Sequence, residues 1–185
     1  GVEARRRHAG VGESLRGPVT AHLFLSHLHW DHIQGFPFFA PAYAPGTRIR
    51  LHAPERCATG GDVRAALDAQ MRAPHFPVGL DAMRAELWFG AVAAGAELAV
   101  GAATVRAAAA KHPNGCLAYR IEAGGRSVVY ATDTEHDASG RVDRQLVELA
   151  RGADVLIYDA QYTADEYPAR RGWGHSTAEE GARLA

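Results

Sequence analysis

Four side chains able to bind a metal fall within six residues: His27, His29, Asp31 and His32, in the run Ser26-His27-Leu28-His29-Trp30-Asp31-His32. Three imidazoles and a carboxylate form a donor set suited to zinc and its first-row neighbours. His27 and His29 are two apart, so on extended backbone they face the same way. Asp31 and His32 lie on the following turn and can point to a second metal. Two ions about 3.5–4 Å apart share a bridging hydroxide and clamp both oxygens of a displacement. The plainer alternative is a chance cluster on a surface loop, which ten histidines in the chain make less rare. The ordered spacing at a strand end argues against it.

The elements that must position this run follow from the surrounding pattern. Val19–Ser26 is an apolar run of strand length. Ile33–Gly46 is rich in aromatic residues and proline, with Pro37, Pro41 and Pro45 forbidding a long helix, so a structured loop with a short helical turn is expected. Arg48–Ala53 alternates as a strand does, and Asp62–Met71, opened by Gly60-Gly61, has helical composition. Ala85–Phe89 and Thr104–Ala108 are candidate strands, with a turn at Val100-Gly101. Cys116–Glu122, a turn at Gly124-Gly125 and Ser127–Ala131 predict a β-hairpin. Val142–Ala150 carries apolar residues at helical spacing, Val155–Tyr158 reads as a short buried strand, and Ser176-x-x-Glu179 reads as a capping box opening a helix over Thr177–Ala185. Of the aromatic residues after the cluster, Phe36, Phe38, Phe39 and Tyr43 are expected in the core, whereas Trp30 lies among candidate ligands. The pattern supports one α/β or α+β domain over residues 1–185.

Composition narrows the function classes. Twenty basic and twenty-one acidic residues give a net charge of −1 over 185 residues, which argues against a broad electrostatic footprint for nucleic acid. Two cysteines, Cys57 and Cys116, are too few for a disulfide scaffold and favour reduced thiols in a cytoplasmic setting. No apolar run approaches a membrane span, and no partner beyond a small substrate is called for, although a homodimer stays open. The start at Gly1 and the end at Ala185, inside a predicted helix, read as a fragment of a longer protein.

Ser26–His32 resembles the signature motif of the metallo-β-lactamase superfamily, and further segments resemble its later motifs in order. These are His112 in Lys111-His112-Pro113-Asn114-Gly115, Asp133 in Ala131-Thr132-Asp133-Thr134-Glu135, and His175 in Gly172-Trp173-Gly174-His175-Ser176-Thr177. The resemblance implies an α/β fold, the αββα sandwich of that superfamily, here partial because the opening strands look cut short. It implies that His27, His29 and His112 bind a first metal, that Asp31 and His32 bind a second, and that Asp133 bridges them. Two zinc ions are implied, with manganese or iron as substitutes. Asp31, Asp133 and His175 take the catalytic roles, His175 as a proton donor or phosphoryl contact rather than a ligand. A last histidine of the second metal is expected beyond Ala185. Neither cysteine stands where a true β-lactamase carries its metal-binding thiolate, which disfavours antibiotic hydrolysis.

Asp159-Ala160-Gln161-Tyr162 and the segment around His175 most resemble bacterial proteins similar to cyclic-nucleotide phosphodiesterases. The expectation is therefore a binuclear hydrolase acting on a small cyclic or linear phosphodiester. The alternatives are a tRNA 3′-processing endonuclease like ribonuclease Z, a thioester or lactone hydrolase, and a metal-bound sensor module without turnover. Glu135 and His136 are candidates to support the ligands from behind, and Tyr162, Tyr167 and Trp173 to line a substrate cleft.

Overall fold

β1 (Thr20–Phe24) arises from the first apolar run and pairs in parallel with β2 (Arg48–Pro54), Leu23 standing opposite Leu51. The computed structural model describes residues 15, 17–55, 63–137, 139 and 141–185. Arg5, Arg6, Arg7, His8, Cys57 and the Gly60-Gly61 pair lie outside them. Contacts gather the chain into two compact units.

The first unit is built on a three-stranded sheet in the order β1-β2-β3, with β3 at Glu86–Val92. Between β1 and β2 run a single turn of helix, α1 (Trp30–Ile33), and two 3-10 turns at Phe36–Phe38 and Ala40–Tyr43. The prolines at 37 and 41 sit in the first positions of those 3-10 turns, where a missing N–H costs nothing. Helix α2 (Val63–Gln70) follows β2. The alternation of β2 sends Ile49 and Leu51 into a core with Val63, Leu67, Phe36 and Phe39. His52 faces the other way. Its ring is stacked 4.4 Å from Phe24 and 5.1 Å from His22, and its Nε2 lies 3.0 Å from His22 Nδ1. Burial, helped by the neighbouring His22 and Arg50, pulls the His52 pKa down to about 4.

The second unit is a five-stranded sheet in the order β4-β5-β6-β7-β8. Its strands are β4 (Glu97–Val100), β5 (Ala103–Ala110), β6 (Cys116–Ala123), β7 (Arg126–Ala131) and β8 (Val155–Tyr158). The first four form an antiparallel meander, and β6 and β7 are the predicted hairpin. Helix α3 (Arg144–Ala150) then carries the chain across so that β8 joins parallel to β7. The Asp143 carboxylate caps α3, accepting from the N–H groups of Gln145 and Leu146 at 2.8 and 3.2 Å. Leu146 and Leu149 bury the face of α3 against Ala118, Val129 and Ala131. Helix α4 (Ala178–Leu184) closes the described chain.

Four details differ from expectation. β4 is a strand where only a turn was foreseen. β8 is not buried throughout, since Val155 and Ile157 are 51% and 43% exposed on one face of an edge strand. Phe38 is exposed rather than part of the core. The cap of α4 is Thr177, whose hydroxyl accepts from Glu180 N–H, because Ser176 Oγ is engaged by His136 Nδ1 at 2.7 Å. No helix among the described residues is long and apolar enough to cross a membrane.

The topology of the second unit has one consequence for chemistry. β5, β7 and β8 run in the same direction, so the segments leaving their carboxyl ends emerge at one edge of the sheet.

Candidate metal centre

In the first unit the histidine run leaves β1 while its pairing with β2 is still held by Leu25 N–H donating to the His52 carbonyl at 2.8 Å. His29 remains extended, and α1 begins at Trp30, turning the backbone so that His32 comes back over the run. The His27 ring lies 4.5 Å from that of His29 and 4.2 Å from that of His32, centroid to centroid. His27 is buried, and its Nδ1 is 3.1 Å from Ser26 Oγ. The Asp31 carboxylate is exposed and lies 3.3 Å from His32 Nε2. All three imidazoles gather at one strand end, with Asp31 beside them.

In the second unit the carboxyl ends of three strands supply the rest. After β5, His112 enters a tight turn in which Asn114 and Gly115 both take positive φ, 67° and 86°, before β6 begins. After β7, Asp133 also has positive φ, 55°. Aspartate is one of the few side chains that visits this region with modest strain, and such strain gathers at functional sites. Thr134 Oγ1 accepts from Lys111 N–H at 3.3 Å and Glu135 N–H donates to the Lys111 carbonyl at 2.8 Å, tying the two strand ends together. His175 arrives from a long return segment stitched to the end of β8 by Tyr162 N–H donating to the Ser176 carbonyl at 3.1 Å. His112, Asp133 and His175 each offer a ligand atom, and these atoms lie within 4.8 Å of one another.

Each imidazole of this group is oriented from behind. His112 Nδ1 lies 2.8 Å from the Gly174 carbonyl. A carbonyl can only accept, so Nδ1 carries the proton and Nε2 is the lone-pair nitrogen of the neutral ring. His175 Nδ1 lies 2.8 Å from Asp159 Oδ2, while Asp159 Oδ1 accepts from Ser176 N–H at 3.0 Å. Metal-binding histidines characteristically have their second nitrogen held by a carbonyl or carboxylate in this way. The His112 imidazole and the Asp133 carboxylate are donors that suit a divalent cation of the zinc class, with the His175 ring held within reach of both. No cysteine joins the group among the described residues. Cys116 is buried, with Sγ against the Leu117 carbonyl at 3.8 Å.

Two further carboxylates matter that spacing did not assign. Asp159 had a signal, an acidic residue directly after a short apolar strand, but its pairing with His175 joins positions 16 apart. Glu135, foreseen only as a supporting candidate, is buried and accepts three donors. Gly172 N–H lies 2.9 and 3.0 Å from its two oxygens, Gly174 N–H 2.9 Å from Oε2, and Tyr167 O–H 3.0 Å from Oε1. Burial acts to raise its pKa, but the backbone donors of Gly172 and Gly174 and the Tyr167 hydroxyl together outweigh it and hold the carboxyl below its ordinary value. Burial, and then this carboxylate, push the Tyr167 phenol up to about 12. His136 packs its ring 4.0 Å from that of Tyr167. Of the residues expected near a cleft, Tyr162 meets the His175 ring edge-on at 5.9 Å, and Trp173 is exposed with the Arg170 guanidinium 5.1 Å from its ring.

Comparison with known proteins gives the family and the fold. The profile of the family described as "Beta-lactamase superfamily domain" matches residues 3–185. A ribonuclease Z of Haloarcula marismortui is 25% identical over 91% of this chain and 66% of its own length. An uncharacterized protein of Mycobacterium leprae is 31% identical over 86% of this chain and 51% of its own length. The chain spans under two thirds of the length of these curated relatives. Among solved structures, the short form of human tRNase Z superposes with a TM-score of 0.64 at 19% identity, covering 89% of this chain and 67% of that one. The metallo-β-lactamase-fold protein YhfI of Bacillus subtilis gives 0.62 at 21% identity, covering 89% and 58%. At such identities the likeness is one of fold, and the mixed α/β architecture with two sheets is that of the metallo-β-lactamase fold.

Proposed function

Because the chain belongs to the β-lactamase superfamily, we propose that it is a metal-dependent hydrolase that cleaves phosphodiesters of small cyclic or linear nucleotide type. The observation that carries this reading is the His112–Asp133–His175 group, with both imidazoles oriented through Nδ1. In this proposal His27, His29, Asp31 and His32 of the first unit and His112 and Asp133 of the second would serve as metal ligands, in the roles the family resemblance gives them. When bound, the ions supply a hydroxide at neutral pH and neutralise charge on the phosphoryl oxygens.

The chain's own residues do the remainder. The Gly174 carbonyl keeps His112 in the Nε2 lone-pair tautomer. Asp159, buried and hydrogen-bonded to His175 Nδ1, holds that ring by one nitrogen and leaves Nε2 to hand a proton to the leaving alkoxide. Asp133 also offers an acceptor for the proton of the attacking water. The Tyr162 ring stands perpendicular to that of His175 at 5.9 Å and gives this group an aromatic neighbour.

The test is metal content per chain together with hydrolysis of bis(p-nitrophenyl) phosphate in added Zn²⁺ or Mn²⁺, on the wild type, His27→Ala and Asp133→Ala. About two metals per chain and metal-dependent turnover, both falling in the variants, support the reading. No bound metal after reconstitution would sink it, and tight metal with no turnover would favour a sensor module. A second reading, cleavage of a tRNA 3′ extension, is favoured by the similarity to ribonuclease Z. Turnover of a 3′-extended tRNA at a rate well above that of the small diester would select it.

A further inference from the structure

Glu135 touches neither the His112 nor the His175 ring in any hydrogen bond, yet both rings depend on the segment it holds. Gly174 is clamped from two sides. Its N–H donates to Glu135 Oε2 at 2.9 Å, and its carbonyl accepts from His112 Nδ1 at 2.8 Å. The next residue in the chain is His175. The clamp has no slack on the His112 side, because a Cβ built on Gly174 would lie 2.3 Å from His112 Nδ1 and 2.3 Å from Pro113 Cδ. Gly172 and Gly174 both take positive φ, 86° and 85°, so this stretch follows no regular ladder and has few backbone partners of its own. Glu135 supplies them: one carboxylate gathers the N–H groups of Gly172 and Gly174 and the Tyr167 hydroxyl. It does so from the strand-end segment that carries Asp133.

We infer that Glu135 is a positioning residue for the metal centre: by fixing the Gly172–Gly174 backbone it aims the Gly174 carbonyl at His112 and thereby sets that ring's tautomer and direction. The role is that of an acceptor of converging hydrogen bonds, and it needs no charge. A glutamine can fill it with its carboxamide oxygen at the Oε2 position, accepting from both glycine N–H groups, and its NH2 at the Oε1 position donating to the Tyr167 oxygen, at the loss of the second Gly172 contact. An alanine cannot: it leaves the buried Gly174 N–H unpaired and releases the Gly172 N–H to solvent. The inference rests on the reading of His112 as a metal ligand, but its first consequence, the His112 hydrogen bond, exists without metal.

The experiment uses the full chain and two readouts. In metal-free protein labelled with ¹⁵N-histidine, the hydrogen-bonded His112 Nδ1–H gives a downfield resonance, assigned by its loss in His112→Ala. In zinc titrations against a chromogenic chelator, the affinity of each variant is read. Glu135→Ala is expected to lose the resonance and about 10–100-fold in zinc affinity, while Glu135→Gln keeps the resonance and stays within a few-fold of wild type. Should Glu135→Ala not fold, Glu135→Asp, one methylene too short to reach both glycines, is read in its place. An unchanged resonance and affinity in a folded Glu135→Ala or Glu135→Asp overturns the inference, as does a Glu135→Gln that behaves like Glu135→Ala. If the wild type binds no zinc but the resonance still follows Glu135 as described, the positioning role stands and the metal reading falls.

Discussion

Gly174→Ala offers a sharp test of how tightly the second unit holds its candidate ligands. The new methyl would meet His112 Nδ1 and Pro113 Cδ at 2.3 Å each and His112 Cε1 at 3.1 Å. Ordinary contacts between such atoms begin at about 3.5 Å, so ring or backbone must move by about 1 Å, and the proline ring cannot rotate away. Three costs follow. A non-glycine residue at φ near 85° costs about 1–2 kcal/mol. Overpacking a tight site costs about 1–3 kcal/mol. Losing the 2.8 Å bond between His112 and the Gly174 carbonyl costs about 0.5–1.5 kcal/mol. Gly172→Ala is the internal control, because Gly172 has φ of 86° but nothing within 4 Å of its Cβ position, leaving only the backbone strain. Urea unfolding should show Gly174→Ala about 2–3 kcal/mol less stable than Gly172→Ala. If the structure relaxes instead by expelling His112, the two variants converge in stability but Gly174→Ala loses zinc affinity by about 10–100-fold. Equal stability and equal zinc affinity for the two variants would refute the reasoning.

Three other perturbations probe separate parts of the molecule. Asp159→Asn removes the carboxylate behind His175 while keeping its size. Phosphodiester turnover should fall by about 100-fold with bound metal unchanged, and a loss of metal instead would mean that His175 acts as a ligand. His52 is held neutral in the folded state, its pKa depressed to about 4, so the unfolded chain binds the extra proton as pH falls from its ordinary value of 6.5. Its contribution is complete above pH 6.5 and is lost on the way to pH 4. After allowance for solvent screening it is about 1–3 kcal/mol, and His52→Phe should flatten the pH dependence of unfolding by that amount, parallel profiles counting against it. Arg120 is buried, donating to the Leu149 and Arg151 carbonyls at the end of α3 at 3.0 and 2.8 Å and to Glu122 at 2.7 Å. Arg120→Met leaves those acceptors without their donor and should lower the unfolding free energy by about 2–4 kcal/mol in urea titration.

What could be seen in the chain beforehand, and what could not, divides by the range of the interactions. The His27–His32 run was legible because its geometry is local: a strand end, a two-residue alternation and one turn of helix bring the rings together without help from distant residues. The β6–β7 hairpin was legible for the same reason, its turn being written in Gly124-Gly125. β4 was not, because Glu97–Val100 is short and sits among alanines, which carry little strand preference of their own. It is a strand because Leu98 and Val100 find Val105 and Ala103 across the meander. On its other side β5 is carried through Ala107–Ala110 by its pairing with β6, against Tyr119, Ala118, Leu117 and Cys116, where an alanine run alone would suggest helix. Ser176 had the right type and offset for a cap, but its hydroxyl is taken by His136 and its N–H by Asp159, and Thr177 caps the helix instead. The pattern is consistent around the candidate centre. Residues offered for the site stand in local motifs, while the groups that aim them, Glu135 on the Gly172–Gly174 backbone and Asp159 on His175, act across 37, 39 and 16 residues and need the closed sheet to meet their partners. A motif therefore nominates His112 and His175, but it takes the shared edge at the ends of β5, β7 and β8 to make them point. Exchanging a ligand tests the motif; exchanging Glu135 or Asp159 tests the fold's share in the chemistry.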